Sequence, residues 1–196
     1  MLGNSWKESQ GMEKRVCVFL ADGFEEIEGL TVVDLLRRAG IDTTTVSITG
    51  DKVVHGAHDI DVLADEVFEA VETYQNFDMF VLPGGMPGTI HLREHEGLGI
   101  VLQEAYTQKK WLAAICAAPI VLGKYGFLQG EKATSYPGFD EELVGAEYVT
   151  EEVVVSNTII TSRGMGTAIS FSLALIEQLL GKEKADAIGK AIIYYQ

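Results

Sequence analysis

Short apolar runs alternate along the chain with longer stretches in which apolar residues recur every three or four positions. Residues 15–21 (RVCVFLA) are almost continuously apolar and rich in β-branched side chains, the pattern of a strand buried on both faces. Over 25–39 the positions Ile27, Leu30, Val32, Val33, Leu35 and Leu36 follow a helical repeat, and Gly40 supplies its stop. A second strand is predicted over 43–48, an irregular hairpin over 53–63 around His55 and Gly56, and a buried strand at Met79–Leu82. A helix over 98–108 leads to a strand at Trp111–Ile115 that runs straight into Cys116, with another helix over 117–122. Strands follow over 132–135, 147–155 and 159–161, and a long helix over 167–180. Strands that alternate with helices in this way predict an α/β fold with a mostly parallel sheet covered on both faces.

The chain has 196 residues, long enough for one well-buried core and short for two. Residues 13–196 read as one domain with no linker or repeat, and the polar residues 1–12 as a flexible extension. That start lacks the apolar segment of a secretory signal, and the late apolar stretch 169–180 is too short and too interrupted to span a bilayer, so a cytoplasmic protein is expected. A formal net charge of −14 argues against a general nucleic-acid binder or an anionic membrane surface as partner. Two distant cysteines, Cys17 and Cys116, make neither a disulfide framework nor a CxxC pair. The four histidines, His55, His58, His91 and His95, lack metal-ligand spacing, and no metal is expected.

Ligands of such sheets bind beyond the carboxyl ends of the strands. The loops there cover residues 22–28, 83–88, 116–119 and 163–166. In Ala114-Ile115-Cys116-Ala117-Ala118 the thiol stands between a strand and a helix with small residues on either side, as a tight nucleophile elbow requires. A helix start just beyond the sulfur would favour a thiolate and would depress the thiol below its usual value of about 8.5. The same spacing also suits a small buried hydrophobe, and spacing alone leaves both readings open. Cys17, between Val16 and Val18, reads as core. Gly84 and Gly85 end a strand where backbone could approach a ligand, and the amide of Gly85 could face that of Ala117 as an oxyanion donor.

Leu82-Pro83-Gly84-Gly85, the elbow 113–119, Gly23-Phe24-Glu25-Glu26-Ile27-Glu28 and the stretch 161–167 (TSRGMGT) occur in this order. Together they resemble the ThiJ/PfpI superfamily, in the branch of the Parkinson-disease-associated deglycase and YajL-like proteins, from about Lys14 to the C-terminus. The resemblance implies a flavodoxin-like three-layer sandwich, a homodimer, and Glu28 beside the Cys116 thiol as its proton partner. Glu25 and Glu26 are expected to be solvated helix-start carboxylates. Where relatives often carry a histidine near the cysteine, this chain has Tyr136, which makes a Cys-His-Asp triad doubtful and leaves proton transfer to Glu28. His58 stands where relatives often have an arginine that reaches the partner subunit's pocket, near Arg38. The family's proposed activities imply a cofactor-free glyoxalase or deglycase acting on methylglyoxal, a small aldehyde, or on glycated amines and thiols. The alternatives are an oxidative-stress sensor or chaperone with an oxidisable cysteine, and a cysteine peptidase.

Overall fold

The computed structural model describes residues 13–194, so the expected N-terminal extension lies outside the described residues. The chain passes through β1 (Arg15–Leu20), α1 (Glu26–Arg38), β2 (Asp42–Ser47), β3 (Val53–His55), β4 (Asp61–Leu63), β5 (Glu66–Val67) and β6 (Met79–Leu82). Then come α2 (Gly88–Glu94), α3 (Glu96–Thr107), β7 (Trp111–Ile115), α4 (Pro119–Lys124), β8 (Lys132–Ala133) and β9 (Glu147–Tyr148). The last elements are β10 (Val153–Ser156), β11 (Ile159–Ser162), α5 (Ala168–Leu180) and α6 (Lys182–Ala191).

Seven strands form one sheet in the order β10-β11-β7-β6-β1-β2-β5. All its pairings are parallel except β10 with β11, where Val153 faces Ser162. β1 shows why the sheet needs helices on both sides. Its Val16, Val18 and Leu20 pack with Val32 and Leu36 of α1 and Phe171 and Ile176 of α5. Its Cys17 and Phe19 point the other way, into a core with Leu92, Leu98, Leu102 and Leu122. Two apolar layers on opposite faces of one sheet make the α/β flavodoxin-like fold that the alternation of strands and helices predicts.

The hairpin over 53–63 is present as β3 and β4, paired antiparallel with Val54 opposite Val62. Several elements differ from the sequence expectation. The single strand expected over 147–155 is two short ones: β9 pairs with β8, and β10 closes the main sheet. The helix after Cys116 starts at Pro119, because residues 116–118 are used by the turn. α2 and α6 have no counterpart in the sequence reading; α6 turns Ala185, Ile188 and Gly189, one helical face of mostly small residues, onto α5.

Candidate active site

Parallel pairing of β6 with β7, and of β7 with β11, brings Leu82, Ile115 and Ser162 to one edge of the sheet. Cys116 is the first residue beyond that edge and has φ +64°, a left-handed conformation that costs an L-residue about 1–3 kcal/mol. Neighbouring backbone holds it there from both sides. Its N–H donates to the Ser162 carbonyl at 3.0 Å, and its own carbonyl accepts the Tyr136 N–H at 2.9 Å. The flanking Ala113, Ala114, Ala117 and Ala118 are all buried, so the elbow closes only with side chains this small. Cys116 itself is partly exposed, whereas Cys17 is buried in the core.

The glycines close the other wall. A Cβ on Gly84 would lie 2.5 Å from the Glu28 carboxylate and 2.6 Å from the Cys116 Cβ. On Gly85, at φ +93°, it would lie 2.2 Å from the Glu25 nitrogen. Bare backbone is therefore needed at both positions, and the amides of Gly85 and Ala117 both donate to the Cys116 sulfur. Glu28 sits on the first turn of α1 and is 1% exposed. Its Oε2 accepts the Gly84 N–H at 2.9 Å, and its carboxyl group is hydrogen-bonded to Cys116.

Burial pushes the Glu28 carboxyl up to about 7, and the Glu25 charge adds to the rise. The hydrogen bonds from Cys116 and Gly84 act in the opposite direction. The Cys116 thiol is pushed up to about 12, by burial first and then by the charge and hydrogen bond of Glu28. The elbow thus does not depress the thiol while Glu28 is ionised. If the proton sits on Glu28 instead, both effects of its charge vanish, and the Ala117 and Gly85 amides remain to favour the thiolate. Cys116 and Glu28 are one titrating unit that holds a proton between them.

The other candidate residues lie around this pair. Tyr136 is largely exposed beside Gly164, and its backbone rather than its phenol meets Cys116. Arg38 lies at the last turn of α1, exposed and bonded to Asp34, within the same helix. His58 meets the other end of α1: its Nδ1 lies 2.9 Å from Glu26 and 3.5 Å from Glu25.

Glu26 is a correction to the sequence reading, since it is 3% exposed rather than solvated. Its side chain folds against the turn between β3 and β4, a contact with residues 32 positions away that no local pattern carries. Glu25, Glu26 and His58 bring three potential ligand atoms within 4.8 Å of one another. Both Glu26 oxygens are engaged by His58, so the group is a self-satisfied ion cluster. A cleft of about 560 Å³, beside Tyr106, Glu131 and Asn157, opens where β11 begins, at the opposite end of the strands from Cys116. Among the described residues, no helix is long and apolar enough to cross a membrane.

The DJ-1/PfpI family model matches residues 14–178. Protein dj-1beta of Drosophila melanogaster is 40% identical over 184 residues, covering 93% of this chain and 98% of that protein. Its crystal structure superposes with a TM-score of 0.89 over 93% of this chain and 98% of the solved one. Protein DJ-1 homolog A of Arabidopsis thaliana is also 40% identical over 92% of this chain, which spans only 46% of that longer relative. A fission-yeast protein named glutathione-independent glyoxalase DJ-1 is 31% identical, over 91% of this chain and 97% of its own length.

Proposed function

The chain belongs to the DJ-1/PfpI family, and from that premise we propose that it is a cofactor-free glyoxalase or deglycase that protects against methylglyoxal. The observation that carries this reading is the buried carboxyl of Glu28 bonded to a strained, partly exposed thiol ringed by backbone amides. The name of the fission-yeast relative supports the same chemistry.

The Cys116 thiolate adds to the aldehyde carbon of methylglyoxal, forming a C–S bond. The carbonyl oxygen, held by the amides of Gly85 and Ala117, takes the proton carried by Glu28. Glu28, now a carboxylate, removes the hydrogen from that carbon and returns it to the neighbouring one, while the hydroxyl proton on the first carbon's oxygen passes to the oxygen of the second, which leaves a lactoyl thioester. Water then cleaves the C–S bond, releasing lactate and restoring the thiol. Atoms balance as methylglyoxal plus water giving lactic acid, with no external oxidant or reductant. A hemithioacetal or hemiaminal on a glycated thiol or amine presents the same two carbons, which brings deglycation within reach of the same pair.

Purified protein is expected to convert methylglyoxal to lactate, and Cys116→Ser to lose at least a hundredfold in rate. Equal activity in the variant would sink the mechanism. The partial exposure of Cys116 supports a second reading, a peroxide sensor in which sulfur oxidises to the sulfinic acid. A gain of two oxygens at Cys116 under dilute peroxide, without aldehyde turnover, would favour it. We also propose a homodimer formed through α1 and the β3–β4 hairpin. There Ile27, Leu30, Val53, Ile60 and Leu63 are exposed on neighbouring elements, an apolar patch suited to a second copy. A sedimentation mass of one chain would refute it.

A further inference from the structure

The foot of α1 is clamped by the β3–β4 hairpin. The Gly23 N–H donates to the His55 carbonyl at 2.7 Å, and the Ala57 N–H to the Phe24 carbonyl at 2.9 Å. Gly56 leaves room for the Glu26 carboxylate, because a Cβ there would lie 2.1 Å from its Oε1. The His58 N–H donates to that oxygen at 2.6 Å, and the ring nitrogen Nδ1 lies 2.9 Å from the other. On the opposite side the Glu25 N–H donates to the Gly84 carbonyl at 2.9 Å. The Gly84 N–H in turn holds Glu28. Polar contacts, joined by the backbone of Glu25–Glu26 and of Gly84, therefore link the imidazole to the Cys116–Glu28 pair.

We infer that His58 is a positioning residue for the Cys116–Glu28 pair, acting through Glu26 and Glu25 to set how much negative charge the foot of α1 presents to Glu28. This rests on the pair proposed above. Among the described residues, the charged groups facing His58 are Glu25 and Glu26 from α1 and Asp59 from its own turn. Those facing Glu28 are Cys116 and Glu25. Glu25 is thus common to both sets. A protonated imidazole offsets Glu25 and Glu26, and Glu28 releases its proton more readily. A neutral imidazole leaves both carboxylates uncompensated, and Glu28 holds its proton more tightly.

Both groups hold their protons to higher pH than they ordinarily would. Hydrogen bonding to Glu26 and the Glu25 and Glu26 charges lift His58 above 6.5, while burial brings Glu28 to about 7. A charged imidazole eases release of the first proton from the Cys116–Glu28 pair, the release that makes a thiolate available, and a neutral imidazole resists it. His58 thereby sets the pH at which the one-proton state of the pair first forms.

The test is the pH dependence of Cys116 alkylation by iodoacetamide, read by mass on the Cys116 peptide of the full-length protein. The variants are His58→Arg, His58→Gln, Glu28→Gln and the double variant of Glu28→Gln with His58→Arg. A permanent charge in His58→Arg should lower the apparent pKa by about half a pH unit, the size expected of a solvent-screened charge beyond direct contact. His58→Gln should raise it, most clearly at the acid end of the profile, where the wild-type imidazole carries its charge. A merely structural role would move both variants in the same direction. The double variant should match Glu28→Gln alone. Superposed wild-type, Arg and Gln profiles beside a displaced Glu28→Gln profile would overturn the role of His58 and leave the pair intact. A Glu28→Gln profile identical to wild type would refute the pair, and the inference with it.

Discussion

Glu28 should make the protein less stable as pH rises from about 4.5 to about 7, and Glu28→Gln should remove that dependence. In the unfolded chain this carboxyl releases its proton near its ordinary value of 4.5, and in the folded chain near 7. Below pH 4.5 it is protonated in both states and contributes nothing to the difference. Between 4.5 and 7 the folded chain binds the extra proton, so stability falls with rising pH and levels off above 7. A rise of that size corresponds to about 3 kcal/mol at most, because Cys116 shares the proton. Against a typical total of about 5–15 kcal/mol, this is easily measured. A glutamine can still accept the Gly84 N–H and offers a donor to sulfur, so geometry is preserved while the charge is lost. Urea unfolding of wild type and Glu28→Gln at pH 4.5 and pH 8, at one fixed protein concentration, gives the difference directly. The variant should gain up to about 3 kcal/mol relative to wild type between the two pH values. A difference that stays constant with pH would refute the buried-carboxylate reasoning.

Gly84→Ala should abolish Cys116 alkylation and destabilise the fold by about 2 kcal/mol or more, since its Cβ would collide with both Glu28 and Cys116; retention of wild-type alkylation would contradict the geometry. Cys116→Gly should be about 1 kcal/mol more stable than Cys116→Ala in denaturant unfolding, because only the alanine keeps the left-handed penalty at φ +64°. Cys17→Ser should cost about 1–3 kcal/mol by placing a hydroxyl in the apolar core, with the alkylation rate of Cys116 unchanged.

Much of the scaffold was legible because its causes are local. The almost continuous apolar run over 15–21 predicts a strand buried on both faces, and the structure sends Val16 and Val18 into one layer and Cys17 and Phe19 into the other. The small residues around Cys116 forecast a tight turn, which the left-handed backbone of that residue bears out. Motif order pointed to Glu28 beside the thiol. α6 went unread in the sequence, although Ala185, Ile188 and Gly189 fall at helical spacing on the face it docks against α5, because two of those three side chains are too small to stand out as an apolar pattern.

Tertiary structure alone decided the charges at the site. Glu25 and Glu26 look like ordinary solvated helix-start residues in the sequence, yet the hairpin turn covers Glu26 and pairs it with His58 from 32 positions away. The helix start after Cys116 suggested a depressed thiol, but burial and the adjoining carboxyl push it up while Glu28 is ionised. Residue types and their spacing determine which groups can meet at the end of β7. Which of them carries the proton depends on desolvation and on charges from other segments, and these exist only once the chain has closed around the site.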